Sequence, residues 1–317
     1  MKQLLFSFLL LITFSVTAQD FSLIRKKTDN YINIKNSEAL AQKISTDFNS
    51  TEQQVKALFY WITHNIKYDL DSYYNPKQKR ISFKYRDEQD KLAKIKAIKS
   101  KIANETLVSK KGVCEGYAQI FSRVCSLLNI ENSVIKGYVK NSSYYINKSE
   151  QTSNHAWNAV KINNEWKYFD TTWASGVVIN NVWEPSFNSY YYSFPKEKYF
   201  KTHYPEETIW QLKIGSLSKE GFYNQPIYKS AFLKTDISLI SPTNGTLPKN
   251  KTIEIKLKNI TNKNTVFLGF SGDRYVTKPD NITIKNNITT IKVNTRKNSN
   301  SLAVIVDKKI ILEYLIK

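Results

Sequence analysis

Three short segments carry residue types that together can perform nucleophilic acyl chemistry. The first is Lys111-Gly112-Val113-Cys114-Glu115-Gly116-Tyr117-Ala118, where a cysteine stands at the change from loop to helix. Unpaired backbone N–H groups at a helix start favour the thiolate, which is the nucleophilic form. The second segment runs from Asn154-His155-Ala156-Trp157 to Ile162, and the third from Trp166 through Asp170 to Trp173. Between them Asn163-Asn164 makes a two-residue hairpin turn, since Asn tolerates positive φ. Pairing outward from that turn sets Ile162 opposite Glu165 and Trp157 opposite Asp170. Alternate strand residues share a face, so His155 and Asp170 become diagonal neighbours on one side of the sheet. A carboxylate there fixes the imidazole's tautomer while the other ring nitrogen faces Cys114, which is nucleophile, base and orienter in one place. A slip of one residue in the turn would invert one strand and separate the pair.

The surrounding elements must hold these side chains. Cys114 and Cys125 lie eleven residues apart on one helix expected over 114–128. That spacing is roughly 16 Å along a helix, against a disulfide reach of about 7 Å, so the two cannot bond and Cys125 reads as core. A helix begins at Ser37, with Ala39, Leu40, Ile44 and Phe48 on one face. Another begins with Thr51-Glu52-Gln53-Gln54, read as a capping box with Thr51 as N-cap, and its stripe of Val55, Leu58, Phe59 and Ile62 ends near Asn65. Residues 69–90 read as a long loop and 91–108 as a lysine-faced amphipathic helix. Strands are expected at 133–139, 155–162 and 165–171, and 180–226 as an irregular aromatic wrap around the core. From residue 235 six short alternating segments (252–258, 265–270, 281–285, 289–293, 301–306 and 309–316) read as a small Ig-like β-sandwich, with a hinge near 240–245.

Composition narrows the classes. The chain has 317 residues, 41% apolar and 23% charged, enough to bury a core. Two cysteines exclude a disulfide framework, and with three histidines they leave little for a metal site. Nine glycines, with neither GxGxxG nor GxxxxGK[ST] among them, argue against a phosphate-cradling loop. Neither a cofactor nor a metal is expected. The net charge of +20 is dispersed: residues 77–111 hold 12 Lys/Arg against 4 Asp/Glu, and 235–317 hold 14 against 6. Aromatics sit in core-like patterns rather than within the basic run, which argues against nucleic acid as partner. The first 18 residues read as an export signal: Lys2, an apolar stretch from Leu4 to Val16, and small residues at Val16-Thr17-Ala18. The chain is therefore divided as 1–18 signal, 19–234 main domain and 235–317 sandwich. The expected location is exported, secreted or in the periplasm or cell envelope, with no transmembrane helix in the mature chain.

GVCEGYA followed by HAWNAVKINNEWKYFDTTW resembles the transglutaminase-like superfamily with its Cys-His-Asp triad, and more closely its kyphoscoliosis-peptidase-like branch. The upstream run from Phe59 to Asp69 is similar to that branch's helix before the core. The run from His203-Tyr204-Pro205 through Trp210-Gln211-Leu212 is similar to its segment after the core. The resemblance covers roughly residues 50–230, leaving the insertion at 71–106 and the C-terminal strands outside the family pattern. It implies an α+β, papain-like core, a helix carrying Cys114 packed on an antiparallel sheet carrying His155 and Asp170. It also implies acyl transfer or hydrolysis on a protein or peptide substrate through a Cys114 thioester, with the Cys114 N–H as first oxyanion donor. The second donor stays open, and Gln119 reads as structural. Trp61 or Trp157 could shield a thioester, though buried aromatics are more often core. His64 sits near a helix C-terminus, where a cation suits the dipole, and reads as structural; His203 could line the cleft from outside, though a loop histidine beside proline is more often a packing element. The alternative is a non-catalytic scaffold whose basic surface binds a partner or an anionic envelope polymer.

Overall fold

The computed structural model describes residues 20–76 and 82–317. The export-signal reading of 1–18 lies outside the described residues, as do residues 77–81 of the basic run.

Helix Ser37–Asp47 starts where the Asn36 side chain accepts the Ala39 N–H at 2.8 Å. In helix Thr51–Asn65 the N-cap is Ser50, not Thr51. Ser50 is extended and its hydroxyl accepts the Gln53 N–H at 3.3 Å, whereas Thr51 is already inside the helix and Gln54 reaches back to Phe48 O at 2.8 Å. The 69–90 stretch is not all loop. Asp69 caps a short helix, Leu70–Tyr74, and Asp87 caps a long one, Glu88–Ser109, that starts three residues before the apolar periodicity does. Lys110, in the left-handed region at φ 54, ends that helix and turns the chain into Lys111–Gly112. Those two residues pair in parallel with Lys67–Tyr68. The end of the Thr51–Asn65 helix is thereby tied to the loop just before Cys114.

The cysteine helix spans Cys114–Leu127. It lies against a four-stranded antiparallel sheet ordered Glu165–Phe169, His155–Ile162, Asn132–Val139, His203–Pro205. The first hairpin runs Ile162↔Glu165 to Asn158↔Phe169 around Asn163 and Asn164 at φ 52 and 62, in the register the turn dictates. The His155 strand is buried on both faces. Asn158 donates to Ala118 O of the cysteine helix at 3.0 Å, while its neighbour Trp157 points the other way and donates to the Tyr199 hydroxyl at 2.5 Å. Phe59, Trp61, Phe121, Trp157 and Phe169 are all buried in this core, and each such side chain contributes about 1.5–3 kcal/mol or more by leaving water. The 180–226 stretch is more ordered than its composition suggests. With the residues just before it, it forms a hairpin (Gly176–Ile179 with Val182–Pro185), the helix Thr208–Ile214 and the fourth sheet strand.

Two further sheets follow. One is ordered Ser238–Ser241, Thr252–Lys258, Ile288–Asn294, Asn281–Lys285. The other is ordered Thr246–Leu247, Lys309–Ile316, Ser301–Val306, Val266–Phe270. Ile255, Leu257, Ile291 and Val293 of the first meet Leu302, Val304, Leu312 and Tyr314 of the second in one cluster. Tyr228, Phe232 and Leu233 contribute to it from before residue 235, and Ile227–Tyr228 pairs with Lys309–Ile316. The architecture is α+β: a helix-and-antiparallel-sheet unit followed by a β-sandwich. No helix among the described residues is long and apolar enough to cross a membrane.

Candidate active site

Cys114 is the first residue of its helix, after an extended Val113 at φ −86 and ψ 179. Its N–H therefore lies in the first turn, where no intrahelical acceptor exists. The chain before Cys114 and the first turn of its helix come this close to helix Glu88–Ser109 because they carry glycines. A Cβ on Gly116 would stand 2.5 Å from Thr106 Oγ1, and one on Gly112 would stand 2.7 Å from Thr106 Cγ2. Cys114 is half-buried and free, and Cys125 is free and fully buried, its thiol pushed up by desolvation.

His155 opens its strand, and Asp170 follows the last ladder pair of the next one. Nε2 of His155 donates to Asp170 Oδ2 at 2.8 Å. With Nε2 so engaged, Nδ1 is the nitrogen left for Cys114. Burial works against the imidazolium, but the Asp170 charge and hydrogen bond, and then the interaction with Cys114, outweigh it and raise the His155 pKa. Asp170 is fully buried. Desolvation opposes its charge, yet His155 and the hydrogen bonds from two imidazoles hold it well below the usual carboxylate range. Asp170 also caps helix Thr171–Ser175, its Oδ1 accepting the Trp173 N–H at 2.9 Å.

The second imidazole is His203. It is fully buried and donates from Nε2 to the same Oδ2 at 3.0 Å, so the packing element read from the sequence is part of the site. Ligand-capable atoms of His155, Asp170 and His203 lie within 4.8 Å of one another, a set that could hold a metal ion. The two hydrogen bonds to Oδ2 already account for that closeness.

The other candidates fall outside the reacting centre. Trp61 is buried in the helical core with its Nε1 on Tyr31 O, and Trp157, also buried, stacks on His155 at a ring distance of 5.9 Å and backs His203 at 4.8 Å. Gln119 donates to Glu115 Oε1 at 2.8 Å. His64 stacks on Tyr60 at 3.8 Å and hydrogen-bonds its carbonyl, and burial pushes its pKa down, so the cation suited to a helix C-terminus is not favoured. Trp173, which sequence reasoning passed over, lies 5.7 Å from the His155 ring. His155 and Trp173 open onto a groove of about 770 Å³, walled by Tyr68, Tyr73, Val178 and Lys229 among others. Tyr68 is a close neighbour of Cys114, and burial first, then the Cys114 charge, raise its pKa and keep the phenol neutral.

Residues 38–171 match the family described as the transglutaminase-like superfamily. Human kyphoscoliosis peptidase is 29% identical over 216 residues, covering 65% of this chain and 29% of the relative. The Mus musculus protein of the same name is 27% identical over 216 residues, covering 65% of this chain and 30% of its own. The chain thus spans less than a third of the length of these curated relatives. A crystal structure of a TGase aligns at 17% identity over 55% of this chain and 42% of that one, with a TM-score of 0.30, too low to bear on the fold. The segment that matches the transglutaminase-like superfamily holds the Cys114 helix start, the His155 strand and Asp170, and the chain is similar over about two-thirds of its length to the kyphoscoliosis peptidases.

Proposed function

We propose that this chain is an exported thiol enzyme performing acyl transfer or hydrolysis on protein amide bonds. The observation that carries the reading is the buried His155–Asp170 bond, set beside a cysteine at the first residue of a helix. The Cys114 thiolate attacks the amide carbonyl carbon, and the Cys114 N–H faces the oxyanion. His155, as imidazolium, passes its Nδ1 proton to the leaving amine, and the C–N bond breaks to leave a thioester. Water, deprotonated by His155, then releases the acid and the thiol. A lysine amine in place of water would form an isopeptide bond. Asp170 keeps Nε2 protonated, so that Nδ1 handles the moving proton throughout. The groove of about 770 Å³ beside His155 has room for a peptide segment.

The test uses the full chain and casein, following ammonia release, peptide release and incorporation of a fluorescent primary amine. Alkylation by iodoacetamide at pH 6 is measured alongside. Faster alkylation of Cys114 than of a free thiol, with a casein reaction abolished by Cys114→Ala, supports the proposal. A Cys114 that reacts like a free thiol, or a casein reaction unchanged by Cys114→Ala, overturns it. The export reading is tested separately, by whether the chain recovered from the medium or the cell envelope begins near Gln19.

A further inference from the structure

Asp170 Oδ2 receives two imidazole N–H groups, and only one of them belongs to the proposed triad. We propose that His203 is a positioning residue for this site, its Nε2–H pinning the carboxylate oxygen that orients His155. The inference rests on the proposed function, since it assigns His203 a role in the chemistry of Cys114 and His155.

The geometry fixes the protonation of one ring nitrogen of His203. A carboxylate oxygen only accepts, so Nε2 must carry a proton. Nδ1 lies 2.7 Å from the Thr202 hydroxyl, and burial, which disfavours the imidazolium, favours the neutral ring in which Nδ1 accepts that O–H. The ring cannot turn: Trp157, Phe194 and Trp173 lie 4.8, 5.0 and 5.0 Å from it and exclude water. The titratable groups facing it are Asp170, His155, Tyr191 and Tyr199, and burial drives both phenols up so that they stay neutral. Two imidazolium ions on one buried oxygen would repel, so a single positive charge is shared out unequally. Burial pushes His203 down while Asp170 draws His155 up.

The backbone fixes the donor as firmly. His203–Pro205 is the fourth sheet strand, and Gly137 of the adjoining strand faces both His155 and Pro205. A Cβ on Gly137 would stand 2.2 Å from Tyr204 O, so the strand lies at the closest approach the chain permits. The result is a carboxylate that accepts three N–H groups: Oδ1 takes the Trp173 N–H, and Oδ2 takes both His155 and His203. Without His203, Oδ2 would be under-satisfied in a dry site and free to rotate away from His155.

Full-length His203→Phe removes the donor and keeps a ring, while His203→Gln returns a donor near the Nε2 position. The readouts are the Cys114 alkylation rate by iodoacetamide from pH 5 to 9 and the ¹⁵N imidazole signals of the unmutated protein. In the Phe variant alkylation below pH 7 falls on the order of tenfold and the acidic limb of the profile moves up, and the Gln variant recovers most of the rate. In the unmutated protein His203 stays neutral and Nε2-protonated across the range while His155 is charged. A Phe variant with an unmutated rate and profile, or a His203 signal that shows an imidazolium at pH 7, overturns the proposal. If the Phe variant does not fold, the Gln variant and the ¹⁵N signals decide the matter by the same criteria. An unmutated Cys114 that reacts like a free thiol would sink the proposed function instead, and the ¹⁵N signals would still judge the state of His203.

Discussion

Asp170 stands one residue beyond the last paired position of its strand, and that offset lets its Oδ2 meet Nε2 of His155 at 2.8 Å. The ladder stops at Asn158↔Phe169, so the backbone at Asp170, at φ −123 and ψ 96, is free to leave the sheet and start a helix. One side chain thus ends a strand, caps a helix and holds the imidazole. A carboxylate so placed is buried without being orphaned.

Asp170→Asn removes the charge and keeps the shape. The stability that His155 draws from Asp170 is fully present below about pH 6.5, the ordinary imidazole value, and is lost as pH rises through the raised folded value. Asp170, being depressed, contributes above about pH 4 and loses that contribution as pH falls towards its folded value. The gap between unmutated protein and variant should therefore be widest between about pH 4 and 6.5 and narrow in alkali. Breaking a buried pair costs roughly 3–5 kcal/mol at the maximum. Urea denaturation across that range measures it, and a gap that widens above pH 8 would contradict the assignment.

The two thiols should part company under alkylation. Cys125 is fully buried with its thiol pushed up, whereas Cys114 is half-buried beside an imidazole. Native protein should take up one carbamidomethyl group, on Cys114, and denatured protein two. His155→Gln should slow the native reaction at pH 6 by about 10- to 100-fold, since the positive partner of the thiolate is gone. Intact-mass measurement with peptide mapping reads both results.

Two glycines should prove intolerant for different reasons. Gly116→Ala puts a methyl group 2.5 Å from Thr106 Oγ1, at a cost of about 1–3 kcal/mol, and Thr106→Ala should restore most of the loss. Gly137→Ala meets the backbone oxygen of Tyr204 at 2.2 Å, which no side-chain trimming relieves. Its melting temperature should fall further, with no single substitution rescuing it. Equal losses in both variants, or no rescue by Thr106→Ala, would show that the helix contact is looser than described.

The sequence by itself determined whatever depends on short separations along the chain. The loop-to-helix change at Cys114 follows from Gly112, Gly116 and the apolar spacing after them, and the structure begins the helix there. Asn163-Asn164 dictates the hairpin register, and the register alone puts His155 and Asp170 on one face. The shift of the N-cap from Thr51 to Ser50 was a local ambiguity between adjacent hydroxyls, which only the backbone angles resolve. The sequence left His203 between the edge of the cleft and a packing role, and its bond to Asp170 was not legible there. That histidine lies 33 residues from Asp170 behind an aromatic wrap without a period, and its three-residue strand is too short to announce itself. Tertiary packing decided its place, because a buried carboxylate needs more donors than the neighbouring chain supplies, and only strands brought together across the sheet could deliver one.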